Sequence, residues 1–361
     1  MSPQLADDHL LRVLVVGGGS AGHVIPALPI ISALQAQGHK VGFVGTTSGL
    51  EEALVAPNGI EFFSIAAGKL RRYWSWQNLT DLTRIGWGIC QSLMLLRRFK
   101  PDVVFSKGGF VSFPVALAAW FCRVPVVAHE SDLTLGLANR LVLPFANTLC
   151  VSFAHSKIKA GKVRIVHTGT PLRSEILDGD AKRGRERLKI DGTKPLLVIT
   201  GGSLGADKLN AVARDALPSL LETYTVLHVC GAGKMSDTQA SGYIQREFID
   251  EGWGDILAAA DIVLSRAGAN ALFELLALKK LNLLIPLSAA ASRGDQIDNA
   301  YFAEAQGFSA VLSEGDLNAL SLVQALQALQ SERTTYEAAL QAYTVPDAEG
   351  AIVAEIRSVV P

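Results

Sequence analysis

Twice in this chain a short β-branched apolar run stops on consecutive glycines and gives way to a helical pattern. Leu11–Val16 meets Gly17-Gly18-Gly19, and a helix is expected from about Gly22 to Gln37 with Gly38 as its stop. Pro195–Thr200 meets Gly201-Gly202, and a second helix is expected from about Ser203. Each start is followed by further strand candidates separated by helical stretches: Val41–Val44, Glu61–Ile65, Asp102–Phe105, Pro125–Ala128 and Thr148–Ser152 after the first, then Thr225–Cys230, Asp261–Leu264, Leu281–Ile285 and Ser309–Leu312 after the second. Helices are expected near Ala269–Leu278 and Asp295–Gln306. Strands alternating with helices imply a parallel, doubly wound sheet, so the fold class is α/β with two Rossmann-like domains. A chain of 361 residues is also longer than one core usually serves. The stretch Gly161–Lys194 is rich in Gly, Lys, Arg and Asp, as a connector would be, and the boundary is placed near Thr170. The expected domains are residues 1–170 and 171–345, with a helical tail at 346–361 that could pack back on the first. Because such sheets bind ligands at the carboxyl ends of their strands, a central cleft faced by both domains is the expected site.

Composition narrows the class. With 49% hydrophobic and 19% charged residues the chain reads as a compact enzyme. Lys+Arg 33 against Asp+Glu 34 gives a net charge of -1, so no global attraction to nucleic acid is expected. Cys90, Cys122, Cys150 and Cys230 form no CxxC pair and are expected to be reduced core thiols. The first ten residues carry Asp7 and Asp8 with no apolar core, so no secretory signal is expected. The apolar stretches Ile85–Leu96 and Phe110–Cys122 are too short for the roughly 20 residues of a spanning helix.

Gly17, Gly19 and Gly22 have dinucleotide-fingerprint spacing, but the second strand, Val41-Gly42-Phe43-Val44-Gly45, ends without the ribose-binding acid. A nicotinamide oxidoreductase is therefore disfavoured. His23 at the helix start is either an acid–base group or a structural histidine bonded to a carbonyl. Ser203 is either a phosphate ligand at a helix N-terminus or a simple cap. The densest polar constellation on an apolar background runs from Ser265-Arg266-Ala267-Gly268-Ala269-Asn270 through Glu274 to Gly294-Asp295-Gln296. A carboxylate at Glu274 can accept both hydrogen bonds of a ribose diol, and Gln296 suits neutral sugar hydroxyls. The alternative for Glu274 is a solvated face or an ion pair. His129-Glu130 closes a strand at its carboxyl end and serves either acid–base work or structural capping; neighbours on a strand point opposite ways and need not touch. Asp178-Gly179-Asp180 mimics a metal-binding DxD but reads better as a solvated turn, and no cluster has metal-ligand spacing.

Several segments in order resemble the bacterial lipid-I N-acetylglucosaminyltransferases of the GT-B fold over nearly the whole chain. They are the glycine turn with His23–Leu28, Lys69–Trp76, Lys100–Pro114, His129–Arg140, Thr168–Arg173, Gly201–Asn210, Ala260–Glu274 and Ser292–Ala300. The resemblance implies inverting transfer of GlcNAc from UDP-GlcNAc to the muramoyl 4-hydroxyl of undecaprenyl-pyrophosphoryl-MurNAc-pentapeptide (lipid I), giving lipid II for the cell wall, with no organic cofactor and no tightly bound metal. By position, Arg173, Ser203, Ile249, Ala269, Asn270, Ala271, Leu272, Glu274 and Gln296 would hold the donor: Glu274 the ribose, Ser203 and the helix start the pyrophosphate, Gln296 the sugar. Ser20, Ala21, Gly22 and His23 would lie on the acceptor side, where the glycine turn could receive the acceptor's pyrophosphate. The chain departs from many members at Ala21, Phe110, Asp132 and Leu204, so Phe110 offers no phenolic hydroxyl and Leu204 no amide.

For an inverting displacement, His23 is the expected base or acceptor-orienting group, with Glu130 as the lesser contender. Lys69, Arg71, Arg72, Trp74 and Trp76 interleave cations and aromatics, and Ile85–Leu96 follows as a possible amphipathic helix. Peripheral, salt-sensitive attachment to an anionic membrane at its cytoplasmic face is expected; the alternative is an active-site rim beside a buried helix. Rival readings are another GT-B transferase acting on a lipid or small acceptor, a UDP-GlcNAc epimerase, and a non-catalytic sugar-nucleotide binder within a wall-synthesis complex.

Overall fold

The computed structural model describes residues 10–361 apart from 20, 48, 50, 69–76, 155–157, 159–160, 191, 203–204 and 290–291. The chain divides into two compact units, Met1–Pro171 with Pro346–Pro361, and Leu172–Val345.

The N-terminal unit is built on strands β1 (Arg12–Val16), β2 (Lys40–Thr46), β3 (Glu61–Ile65), β4 (Val103–Ser106), β5 (Val126–Glu130), β6 (Thr148–Val151) and β7 (Arg164–His167). They form one parallel sheet in the order β3-β2-β1-β4-β5-β6-β7. The alternation along β1 shows why both faces are covered. Val13 and Val15 join one buried cluster, and Leu14 and Val16 join another on the opposite side. Each such side chain contributes about 1.5–3 kcal/mol by leaving water. The tail helix Ala348–Ser358 packs on the helix Leu28–Ala36, and Ile352, Val353 and Ile356 complete the first cluster.

The C-terminal unit repeats the plan. Strands β8 (Leu196–Thr200), β9 (Thr225–Val229), β10 (Tyr243–Arg246), β11 (Ile262–Ser265), β12 (Asn282–Leu284) and β13 (Ala310–Val311) are parallel, in the order β10-β9-β8-β11-β12-β13. In both sheets the order reverses beside the first strand, between β1 and β4 and between β8 and β11. Chain leaving the strands there diverges to opposite faces and opens a crevice at their carboxyl ends.

Four expectations need correction. The helix from Gly22 to Gln37 is broken into Ala21–Val24, a 3₁₀ turn Ile25–Ala27 and Leu28–Ala36, because Pro26 and Pro29 lack the N–H that a continuous helix requires and each instead opens a new segment. The polar stretch Gly161–Lys194 is not a bare connector: it holds β7 and the helices Ser174–Leu177 and Ala181–Leu188. The strand β10, which periodicity did not mark, forms the sheet's outer edge. All four cysteines are free thiols, but only Cys150 and Cys230 are core residues; Cys122 is half-buried and Cys90 is exposed. Among the described residues no helix is long and apolar enough to cross a membrane.

Candidate active site

In the C-terminal unit, β11 ends at Ser265, and the helix Ala269–Ala277 begins after Arg266-Ala267-Gly268. Its N-cap is Gly268, which has no side chain to accept from the first N–H groups. A Cβ placed on Gly268 would meet nothing within 4 Å, and the same is true of Gly202 after β8 and of Gly294 before the helix Asp295–Ala305. Backbone donors at a helix start beside open space suit a phosphate. Beneath this loop Arg266, itself buried, donates to the Ile285 carbonyl at 3.1 Å and pairs with Glu314 at 2.5 Å. The pairing fixes the turn from below.

Glu274 lies on the second turn of the same helix, its side chain 16% exposed. Arg173 Nη2 stands 3.7 Å from Glu274 Oε1, while Arg173 Nη1 reaches Glu175 at 2.5 Å. The Trp253 indole also donates to Glu274. Burial pushes the Glu274 carboxyl above its ordinary range, and Arg173 and the Trp253 hydrogen bond offset that only in part. The carboxylate is thus largely desolvated, with Arg173 and Trp253 as its partners. Gln296 Oε1 accepts from the Leu287 N–H at 3.1 Å, which turns its NH₂ toward other acceptors. Ala269 and Leu272 are buried, Asn270 and Ala271 partly so, and Ile249 is half-buried just past the end of β10. Ser203 lies outside the described residues.

Trp253 opens the helix Trp253–Ala259, whose Asp255 is held by Arg183 at 2.8 Å, Arg187 at 3.0 Å and the Asp180 N–H at 2.9 Å. These bonds, that of Arg183 first, hold the Asp255 carboxyl down to about 2. Asp180 meanwhile caps the helix Ala181–Leu188, its side chain accepting from Arg183 N at 2.7 Å, so the DxD-like segment is a helix start. Asp255→Asn should therefore lower the melting temperature at neutral pH. A depressed carboxyl stabilises fully above its unfolded value of about 4 and less as pH falls toward its folded value. The difference in melting temperature between variant and wild type should be constant from neutral pH down to about 4 and narrow below it, as circular-dichroism melts would report.

In the N-terminal unit the glycine turn closes on a buried side chain. Gly19 N–H donates to Glu51 Oε1 at 2.8 Å, and Thr46 Oγ1 donates to both oxygens of the same carboxylate at 3.0 and 3.1 Å. Glu51 is 1% exposed, and a Cβ on Gly18 would come within 2.6 Å of it. Here Gly18 makes room for a buried carboxyl group. The helix that follows, Ala21–Val24, is one turn long and carries little dipole. His23 is half-buried on that turn. A Cβ on Gly108 would touch its imidazole Nδ1 at 3.3 Å and Asn139 Nδ2 at 3.8 Å, so His23 rests on the backbone that leaves β4. Gly22 is exposed beside it, and Ser20 lies outside the described residues.

His129 and Glu130 end β5 and diverge. Glu130 accepts from the N–H groups of Asp132 at 3.1 Å and Gly136 at 2.8 Å and from Asn139 Nδ2 at 3.0 Å, which makes it the clamp of the loop after β5. His129 is fully buried, with Nδ1 2.8 Å from Lys107 Nζ and Nε2 3.0 Å from the Gly169 carbonyl. Burial and the neighbouring Lys107 hold its pKa well below the ordinary value, so it stays neutral. Residue types and spacing did not single out Glu51, Lys107, Trp253 or the Arg266–Glu314 pair. Among the described residues no three His, Cys, Asp or Glu side chains converge as metal ligands do.

Residues 13–151 match the Glycosyltransferase family 28 N-terminal domain, and residues 196–352 match its C-terminal domain. A Clostridium kluyveri protein named UDP-N-acetylglucosamine--N-acetylmuramyl-(pentapeptide) pyrophosphoryl-undecaprenol N-acetylglucosamine transferase is 46% identical over 344 residues, covering 95% of this chain and 98% of its own length. A Legionella pneumophila protein of the same name is 44% identical over 348 residues, 96% of either chain. Among solved structures, Acinetobacter baumannii MurG superposes with a TM-score of 0.76 at 24% identity over 97% of this chain and all of its own. The UDP-GlcNAc 2-epimerase of Neisseria meningitidis gives 0.67 at 17% identity, over 96% of this chain and 100% of that one. These two likenesses speak to the fold, two parallel α/β units of GT-B type.

Proposed function

From the premise that the chain belongs to glycosyltransferase family 28, we propose that it transfers GlcNAc from UDP-GlcNAc to the MurNAc 4-hydroxyl of undecaprenyl-pyrophosphoryl-MurNAc-pentapeptide, forming lipid II with inversion at the anomeric carbon. The observation that carries the donor half is Glu274, a desolvated carboxylate on a helix whose uncapped start adjoins open space. Glu274 holds the ribose diol, and the N–H groups at Ala269, Asn270 and Ala271 hold the pyrophosphate together with Ser203. Leu272 packs the helix to the sheet, and Ile249 offers an apolar surface to the base. Gln296 donates its NH₂ to a sugar hydroxyl, and Arg173 meets the charge that grows on departing UDP. A helix start and a guanidinium supply this stabilisation without a bound metal or organic cofactor. His23 takes the proton of the acceptor hydroxyl while Gly22 and Ala21 give the acceptor sugar close approach; Glu130 keeps the loop after β5 in place and is not the base.

The test is direct. Purified protein with UDP-GlcNAc and a lipid-I analogue should release UDP and form the disaccharide product. UDP-ManNAc without transfer would replace this reading with an epimerase, and UDP-GlcNAc binding without turnover would leave only a binder.

The acceptor is a lipid, and the N-terminal unit carries a surface that suits one. The helices Gln77–Phe99 and Ser112–Phe121 pack together, and Trp87, Met94, Trp120 and Phe121 are 59%, 56%, 54% and 62% exposed. Arg97, Arg98 and Arg123 are exposed on the same helices or next to them. Aromatics beside cations fit the headgroup layer of an anionic membrane, here its cytoplasmic face, with about 1 kcal/mol per cation. Lys69, Arg71, Arg72, Trp74 and Trp76, expected from the sequence to make this contact, lie outside the described residues. The protein should float with vesicles containing phosphatidylglycerol and dissociate at high salt. Trp87→Glu combined with Trp120→Glu should abolish flotation while turnover of a water-soluble acceptor is kept, and flotation that persists would remove the membrane assignment.

A further inference from the structure

Lys107 follows β4 at the point where the N-terminal sheet reverses its order, yet its side chain is buried within the unit. The residue is 2% exposed. Its ammonium donates to His129 Nδ1 at 2.8 Å and to Ser131 Oγ at 2.5 Å. The Gly169 carbonyl can only accept, so His129 Nε2 carries the ring hydrogen and Nδ1 presents the lone pair that Lys107 needs. His129 cannot then be a base, since both nitrogens are engaged and no solvent reaches it.

The backbone that continues from Lys107 is tightly confined. Gly108 and Gly109 both lie in the left-handed region, at φ 97° and 88°. A Cβ on Gly109 would come within 1.9 Å of the Gly18 carbonyl, and one on Gly108 would meet the His23 ring. The segment is wedged between the glycine turn and His23, and its first residue is tethered from behind by a buried cation. We infer that Lys107 is a positioning residue for the transfer step: its ammonium, held between His129 and Ser131, fixes the backbone on which the His23 imidazole rests. The inference rests on the reading of His23 as the acceptor's base.

Burial pulls the Lys107 amine down to about 8, against the raising influence of Glu130, Asp132 and Cys150. These groups, with His129, surround it: His129 and Glu130 from β5, Asp132 from the loop after it, Cys150 from β6. As pH rises through that value the ammonium becomes an amine and the charge-assisted bonds to His129 and Ser131 weaken. His23 loses its fixed seat, and kcat falls while affinity for UDP, bound by the other unit, does not.

The experiment is a kcat–pH profile of the full-length protein with UDP-GlcNAc and a lipid-I analogue, alongside UDP Kd by calorimetry. Wild type should show an alkaline fall in kcat centred near the amine's value, with a flat UDP Kd. Lys107→Met matches the side chain's length without a donor. It should lower kcat at neutral pH by about tenfold to a hundredfold, as small misplacements of catalytic groups do, keep UDP Kd, and lose the alkaline fall. Wild-type kcat that stays level through pH 9 overturns the inference without needing any variant to fold. A Lys107→Met enzyme with wild-type kcat and an unchanged alkaline fall overturns it as well. Failure of the functional reading is a different result, no transfer by wild type at any pH.

Discussion

Glu274→Gln should weaken UDP by roughly a hundredfold, since losing the charge behind two hydroxyl bonds costs about 3 kcal/mol, while leaving the unliganded protein at least as stable as wild type. The two halves of this expectation have one cause. Burial raises the Glu274 pKa more than Arg173 and Trp253 lower it, so the folded state binds that proton more tightly than the unfolded chain does. Stability then rises as pH falls through the folded value, and at neutral pH the ionised carboxylate is a cost to the empty site. Glutamine removes the cost and, with it, the acceptor that a ribose diol would use. Melts with and without saturating UDP distinguish the terms: UDP should raise the wild-type melting temperature and barely move that of the variant. UDP affinity of wild type should also decline on the acid side, beginning above the ordinary carboxylate range. A variant that binds UDP as tightly as wild type would remove Glu274 from the donor site.

How much of this was readable from the chain depends on whether a feature is local. The strand starts at β1 and β8 and their glycine turns were visible because a parallel strand buried on both faces must be a short, continuous apolar run. Glu274 was visible because a carboxylate among Leu272, Phe273, Leu275 and Leu276 contradicts its surroundings. The edge strands β7 and β10 were not, since RIVH and YIQR are short, half-exposed and partly polar, and only the neighbouring strand makes them strands. Pairings across the fold were equally hidden. Lys107 meets His129 across 22 residues and Gly19 meets Glu51 across 32, and each residue taken alone reads as a surface charge or a flexible turn. The N-terminal glycines show the cost of local reading most clearly. Their spacing matches a phosphate cradle, but Cβ atoms on Gly17, Gly18 and Gly19 would meet the His23 carbonyl, the Glu51 carboxylate and the Phe110 ring, neighbours that the spacing alone does not reveal.

That packed turn sharpens what His23 must do. The Gly19 N–H is committed to Glu51, and the turn leads into a one-turn helix that carries His23 at the carboxyl edge of β1 and β4. In an inverting transfer the acceptor hydroxyl has to lose its proton as it attacks, and imidazole is the side chain here whose ordinary pKa lies near neutrality. His23→Ala should therefore reduce kcat by about 10²–10⁴-fold under saturating substrates, the usual contribution of a general base, with UDP affinity unchanged because the proposed UDP contacts belong to the unit Leu172–Val345. Donor hydrolysis in the absence of acceptor gives a further distinction: it needs leaving-group stabilisation from the C-terminal unit but no proton transfer from a sugar hydroxyl, so the variant should retain it. If instead turnover stays close to wild type, the imidazole is a spacer over Gly108, and the proton must leave by a solvent route that the acceptor itself provides.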